Sequence, residues 1–203
     1  MNDKSAFAGL VKLENRSAGE VVRLGKAKFP FRPETKPDDP VEKLIEELVA
    51  QNLMIDALKI LALALPPREG VWWGCLAARD TTMIDGKKTK ALDAAEAWVF
   101  KPSQEAKKAL EPHALDPGEA DAMVAEAAFS VPLPDDEEPP TAPPMLVGLL
   151  IFSAQLKSFF AFDQPDEISQ QGQLLLARGL DIAKGGNGQI GEDADAKEDA
   201  PIG

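Results

Sequence analysis

The side chains that could carry out nucleophilic chemistry are few in this chain. Cys75 is the only cysteine and His113 the only histidine, and tyrosine is absent. A cysteine hydrolase needs a thiolate beside a base, but His113 lies just past a proline that ends a predicted helix, and Cys75 lies on a different helix. Cys75 follows Gly74 in the middle of a predicted helix, where no helix N-terminus activates the thiol, so we expect a buried, unreactive cysteine. A cysteine-dependent enzyme built on Cys75 and His113 stays open as an alternative.

Other catalytic and cofactor motifs are missing from the sequence. One histidine and one cysteine cannot supply a zinc tetrad. The stretch GGNGQIGEDAD superficially resembles a calcium loop, but alanine or glycine stands at positions that need a side-chain oxygen. Phosphate-binding loops, the dinucleotide-binding glycine fingerprint and the GxSxG elbow are also missing. We therefore expect no metal, no cofactor and no catalytic residue, and a protein that is not an enzyme.

The stretch PPREGVWWGCLAAR, residues 66–79, offers a candidate binding surface. Consecutive residues on a helix point about 100° apart, so Trp72 and Trp73 cannot both face one neighbour. We expect one ring in the core and the other at a groove or under a linker, where an exposed tryptophan would anchor a partner. A half-covered ring with no partner is the plainer interpretation. The candidate partner-binding residues are Trp72 or Trp73 as the anchor, with Arg68, Glu69 and Arg79 at the rim.

Short helices must position these residues. Segment 52–65 is almost wholly apolar, segment 145–162 begins with an apolar run that ends at Phe152, and the other segments carry apolar residues at helical spacing. Prolines and glycines separate the segments, and no stretch alternates as a strand would. The predicted fold class is all-α, a single compact bundle of about seven or eight short antiparallel helices. The segments 52–65 and 145–162 and the tryptophan helix are expected at its centre.

The chain divides into three predicted parts. Residues 1–37 are poorly defined and contain one short helix, which begins where Ser17 and Glu20 stand at capping-box spacing. Residues 38–184 form the all-helical domain, interrupted at 130–144 by a proline- and acid-rich linker that we expect to be extended and mobile. Residues 185–203 are rich in glycine and acidic residues and are predicted to be a disordered acidic tail.

The net charge of −12 restricts the class of partner. An acidic surface repels the phosphate backbone of nucleic acids and anionic membrane surfaces, so we expect no nucleic-acid partner and no peripheral lipid binding. Polar residues interrupt segment 145–162 after Phe152, which predicts a core helix and no membrane insertion. A single cysteine and a first segment without a long apolar stretch indicate a cytoplasmic protein.

Three strings of the sequence carry a resemblance to a known family. LPPREGVWWGCLAARD, DAAEAWVFKPSQEAKKAL and LARGLDIAKG resemble an uncharacterised domain family of small all-helical bacterial proteins, over roughly residues 40–184. The resemblance implies an all-helical fold and no catalytic residue at any position. Proteins of this kind are associated with gene clusters of type VI secretion and with effector-loading adaptors, which implies an accessory role.

These observations together predict a non-catalytic cytoplasmic helical protein that binds another protein. It would act as an adaptor or as an effector-chaperone-like accessory factor, with a secreted effector or a secretion-system component as its partner. The acidic segments would steer basic regions of that partner. A structural, self-associating subunit is the alternative function, and a homo-oligomer is compatible with either.

Overall fold

The structure is a computed structural model, and it describes residues 6–13, 15–82, 86–114, 118–134, 136, 143 and 145–190. Within these ranges the chain forms nine α-helices, one 3₁₀ turn and no β-strand, so the predicted all-α class is confirmed. Eight of the α-helices fall within residues 38–184. In chain order the elements are α1 (Ala18–Leu24), α2 (Val41–Ala50), α3 (Met54–Ala64), α4 (Pro67–Thr82), α5 (Lys90–Phe100), α6 (Gln104–Leu110), the 3₁₀ turn (Glu111–His113), α7 (Ala120–Phe129), α8 (Leu146–Phe159) and α9 (Pro165–Ala183).

Helix α8 lies at the centre of the bundle and packs against α3, α4, α7 and α9. The sequence placed α3, α4 and α8 there, and the structure adds α7, which packs closely on both α4 and α8. The buried face of α7 consists mainly of alanines, whose short side chains let neighbouring helices approach closely. Gly74 of α4 lies at this contact, because a Cβ atom there would come within 2.8 Å of Val124 Cγ2.

Capping hydroxyls and prolines set the helix boundaries. Helix α3 ends before Pro66, and α4 begins at Pro67, a residue that a first turn tolerates. The hydroxyls of the residues before α1, α5 and α6 each accept a hydrogen bond from a backbone N–H in the first turn. The short helix predicted in the N-terminal segment is therefore present, with Ser17 as its N-cap.

The N-terminal segment contributes to the core, although its sequence left it poorly defined. Leu10, Leu13 and Val21 are buried against the helical bundle. The backbone N–H of Lys12 donates to the carbonyl of Ala183 at the end of α9, at 2.9 Å. Residues 6–13 and 15–24 therefore cover one part of the bundle, and Lys12 binds the end of its last helix.

The described part of the proline- and acid-rich linker lies against α6. The Asp136 carboxylate accepts hydrogen bonds from the backbone N–H of Leu133 (2.8 Å), from Lys107 (2.9 Å) and from Gln104 (2.7 Å). The bond from Leu133, followed by those from the two side chains, lowers the pKa of Asp136 to about 2. This stretch is thus docked. Residues 135, 137–142 and 144 of the linker lie outside the described residues.

Residues 185–190 continue from α9 as an irregular segment, called here the C-terminal strap. Gly188 is buried, and its N–H donates to the Asp181 carboxylate at 2.8 Å. Its φ of +69° is a conformation that glycine adopts readily. The strap differs from the disordered tail expected to begin at residue 185, because side chains of α4 and α9 bind its backbone. The remaining tail, 191–203, lies outside the described residues.

Helix α8 lies within segment 145–162, for which the sequence predicted a core helix. Two of its polar side chains are buried inside the bundle, where Gln155 donates to the Trp73 carbonyl (3.1 Å) and Ser158 to the Asp80 carboxylate (3.2 Å). None of the helices in the described ranges is long and apolar enough to cross a membrane.

Candidate functional site

The adjacent tryptophans of α4 lie in two different environments. Trp73 is fully buried, and its indole N–H donates to the Leu175 carbonyl of α9 at 2.9 Å. Trp72 is partly exposed, and its indole N–H donates to the Asn187 carbonyl of the C-terminal strap at 2.7 Å. The two rings point apart, as helical geometry requires. Of the two candidate anchors, Trp73 is a core residue and only Trp72 reaches the surface.

A groove of about 400 Å³ lies beside Trp72, between α4, the end of α5 and the C-terminal strap. We call it the Trp72 groove. Its aromatic wall is formed by Trp72 and Phe100, whose ring centroids lie 5.8 Å apart with the planes tilted by 59°. Phe100 is the last residue of α5 and is 70% exposed. The groove therefore presents one half-covered and one open aromatic ring to solvent.

Arg68 fixes the end of α5 at the edge of the groove. Its Nε–H donates to the Val99 carbonyl at 2.6 Å, and Nη2 donates to the Phe100 carbonyl at 3.4 Å. These carbonyls belong to the last turn of the helix, where a cation is favourable. Arg68 thus stabilises the position of the Phe100 backbone at the edge of the groove.

Arg79 lies over the Trp72 ring, with its guanidinium carbon 5.0 Å from the ring centroid. Its Nε–H donates to the Glu96 carboxylate at 2.8 Å, and Lys88 contacts the second oxygen of the same carboxylate. Burial raises the pKa of Glu96, but the hydrogen bonds and charges of Arg79 and Lys88 outweigh burial and lower this pKa below its usual value. Glu96 therefore remains ionised near neutral pH and holds Arg79 on the indole.

Glu69 pairs with Lys12 at the third side of the groove, with 2.7 Å between Oε1 and Nζ. Both side chains keep contact with solvent, so this pair contributes little to stability and can exchange partners. Three cationic side chains and one carboxylate line the groove, an excess of two positive charges in a chain of net charge −12. The cations are Lys12, Arg68 and Arg79, and the carboxylate is Glu69.

The structure brings four of the five predicted site residues together. Arg68, Glu69, Trp72 and Arg79 all line the groove, and Trp73 does not. Sequence reasoning missed Phe100 and Lys12. An aromatic residue at the end of a helix, directly before Lys-Pro, was a usable signal for Phe100, whereas no local pattern distinguishes Lys12.

Cys75 lies in the core, on the buried side of α4. Its side chain is fully buried, and burial raises the pKa of the thiol well above its usual value. His113 lies in the 3₁₀ turn and is partly exposed. The exposed cysteine–histidine pair that a thiol nucleophile needs is therefore not available to Cys75 in the native fold.

We expect iodoacetamide to leave Cys75 unmodified in the native protein. The thiolate is the reactive species, and both burial and the raised pKa suppress it. Intact-mass spectrometry should show no adduct under native conditions and one adduct per chain in denaturant, since the chain has one cysteine. Rapid stoichiometric alkylation of the folded protein would contradict this burial and reopen the cysteine-enzyme alternative.

Within the described ranges no group of three or more His, Cys, Asp or Glu side chains is placed to hold a metal ion. The Trp72 groove itself presents two aromatic rings and a charged rim.

Comparison with known proteins places most of the chain in one family. The model of a family of unknown function, DUF6931, matches residues 44–183. This range contains Trp72, Phe100 and the charged residues of α4, whereas Lys12 and the C-terminal strap lie outside it. No curated protein and no solved structure matches the chain. The match spans more than half of the sequence, and the chain accordingly belongs to DUF6931, a family of unknown function.

Proposed function

We propose that this protein is a non-catalytic adaptor that binds another protein through the Trp72 groove. The observation that supports the proposal is the exposed pair of Trp72 and Phe100 beside a concave, charged surface. Aromatic residues are enriched at the energetic centres of protein interfaces, with polar and charged groups around them.

The groove is held in shape before a partner arrives. Arg68 fixes the end of α5, Glu96 fixes Arg79, and Arg79 covers one side of the Trp72 ring. A partner that binds to pre-positioned side chains loses less conformational entropy than one that must order them. This arrangement supports a binding role more directly than the exposure of a single aromatic residue would.

The charges in the groove indicate the chemistry of the partner. The lining carries an excess of two positive charges, although the whole chain is acidic. The groove would therefore accept a segment with an apolar side chain for the aromatic wall and acidic groups for the rim. Basic regions of a partner, which the net charge of the chain favours, would lie elsewhere on the acidic surface.

We extend the proposal to a cellular role as an effector-chaperone-like accessory factor of type VI secretion in the cytoplasm. The support for this role is the resemblance of the residue 66–79 string and its neighbours to proteins associated with such gene clusters. The partner would then be a secreted effector or a component of the secretion system.

Replacing Trp72 and Phe100 together by alanine should weaken partner binding by about 30-fold or more, the effect of losing an aromatic hot spot of roughly 2 kcal/mol. The partner is first isolated from the native host on the immobilised full chain, and its affinity is then measured by calorimetry with purified proteins. Circular dichroism establishes that the variant is folded.

Phe160→Ala is the matched control. Phe160 is also a largely exposed aromatic residue at a helix end, 58% exposed, but it does not line the Trp72 groove. The control should bind the partner as the wild type does. A folded Trp72→Ala/Phe100→Ala variant with wild-type affinity would contradict the proposal.

A self-associating structural subunit is favoured by a different observation. Phe160 and Phe162, two residues apart just after α8, both expose their aromatic side chains. If these side chains join copies of the chain, light scattering should show a mass that falls on dilution, and Phe160→Ala should abolish the larger species. A constant monomer mass over the dilution series would contradict this alternative.

A further inference from the structure

The C-terminal strap determines where the acidic tail begins. The Trp72 indole binds the Asn187 carbonyl, and the Asp181 carboxylate binds the Gly188 N–H. Gln189 lines the Trp72 groove, and Ile190 is the next residue. The chain therefore leaves the described part of the fold at the edge of the groove.

The residues that follow are complementary in charge to the groove. Residues 191–203, GEDADAKEDAPIG, contain five acidic residues and one lysine, a net charge of −4. The groove lining carries an excess of two positive charges. The Debye length at physiological ionic strength is about 8 Å, so charges of opposite sign held at the edge of the same groove attract each other appreciably.

The length of this segment is sufficient for it to reach the whole groove. Thirteen residues follow Ile190, and an extended chain spans about 3.3 Å per residue, or roughly 40 Å in total. A segment tethered this closely has an effective concentration in the millimolar range, so a contact with a dissociation constant of about 1 mM would be occupied about half of the time.

We propose that the acidic tail, residues 191–203, docks in cis on the cationic rim of the Trp72 groove and competes there with the acidic segment of a partner. As a mechanism of regulation the inference rests on the proposed function, but docking of the tail is a property of this chain alone. The docked tail would raise the apparent dissociation constant of the partner. It would favour partners that are more acidic, or that add an apolar side chain for Trp72 and Phe100.

Tryptophan fluorescence can report on the groove selectively. Of the three tryptophans, Trp73 and Trp98 are 0% and 1% exposed, and Trp72 alone is partly exposed. Collisional quenching by iodide therefore monitors Trp72. Iodide is an anion, so the groove cations attract it and a docked acidic tail excludes it.

The test uses the full chain with the five tail carboxylates replaced by amides, at a constant ionic strength of about 0.15 M. A control variant loses five exposed carboxylates outside the groove, so that both variants have the same net charge. The tail substitutions are Glu192→Gln, Asp193→Asn, Asp195→Asn, Glu198→Gln and Asp199→Asn, and the control substitutions are Asp38→Asn, Asp93→Asn, Glu105→Gln, Glu111→Gln and Asp163→Asn.

We expect the tail variant to raise the iodide quenching constant of Trp72 about twofold, because a screening negative charge leaves the groove, and the control variant to stay near wild type. Equal quenching of the tail variant and the wild type would overturn the inference. A difference that grows with protein concentration would overturn it too, because the tail would then occupy a second copy. Neither result would change the effect of Trp72→Ala/Phe100→Ala on partner affinity, so failure of the tail inference and failure of the proposed function are distinguishable.

Discussion

Replacing Trp73 by alanine should unfold the protein or leave it barely folded in dilute buffer. The ring is fully buried between α4 and α9, and its removal also abolishes the hydrogen bond to the Leu175 carbonyl. Truncation of a buried tryptophan to alanine costs roughly 3 to 5 kcal/mol, because apolar contacts are lost and a cavity remains. Small domains are typically stable by about 5 to 15 kcal/mol, so this loss would take most of the stability of a marginal fold.

Trp72→Ala is the matched control for this prediction, one residue away on the same helix. Trp72 is partly exposed, and its removal takes away one hydrogen bond and the contacts with Phe100 and Arg79. We expect a loss of about 1 to 2 kcal/mol, with the fold retained. Urea unfolding followed by far-ultraviolet circular dichroism measures both variants. Equal losses for the two variants would contradict the assignment of one ring to the core and the other to the groove.

Replacing Asp80 by alanine should destabilise the protein by about 2 kcal/mol, because three donors that are largely shielded from water lose their shared acceptor, while the Asp80 side chain itself is 21% exposed. One oxygen of the Asp80 carboxylate accepts hydrogen bonds from Ser158 (3.2 Å), Gln171 (2.8 Å) and Arg178 (2.8 Å). These donors come from α8 and α9, so the carboxylate of α4 joins three helices. Ser158 and Gln171 are buried, and Arg178 would lose its ion pair.

Asp80→Asn separates the charge of this residue from its shape. The amide keeps one acceptor oxygen but loses the negative charge beside Arg178, so we expect about half of the loss seen with alanine. The midpoints of urea unfolding compare the stabilities of the two variants and the wild type, provided that the dependence of the unfolding free energy on urea concentration is the same for all three. An Asp80→Ala variant as stable as the wild type would show that water replaces the carboxylate without cost, contrary to this account.

Local sequence signals were sufficient to predict that this fold consists of short helices and where several of them begin or end. The capping serine at Ser17 and the prolines between α3 and α4 mark boundaries that the structure contains. The separation of Trp72 from Trp73 also followed from helix geometry alone, because adjacent residues on a helix cannot share a face. These features depend on residues close together in sequence, where the physical rules are specific.

The composition of the groove could not be predicted in the same way. The Trp72 indole binds the Asn187 carbonyl across 115 residues of sequence, and Arg68 binds the end of α5, which carries Phe100, from α4. Hydrophobic periodicity identifies which face of a helix is buried but not which distant segment covers it. The contacts of the C-terminal strap could not be predicted either. Its glycine-rich composition resembles that of a disordered tail, and only the structure shows that Trp72 and Asp181 bind its backbone.

The central position of α7 was also underestimated from its sequence. Its alanines give a modest hydrophobic signal, whereas α3 and α8 carry larger apolar side chains. Small side chains nevertheless allow close packing, and α7 packs closely on both α4 and α8, which also contact each other. The distance between two packed helices depends on the side-chain volumes of both helices. The hydrophobic pattern of one helix does not contain this information.

Site-specific photocrosslinking in the native host tests most directly whether the Trp72 groove binds a protein. A benzophenone amino acid is placed at position 100 or, as the control, at position 160, where an exposed phenylalanine lies outside the groove. We expect one discrete protein adduct at position 100, its loss when Trp72→Ala is added, and no adduct of the same mass at position 160. An adduct that forms equally at both positions, or that persists unchanged with Trp72→Ala, would contradict the groove as the docking site.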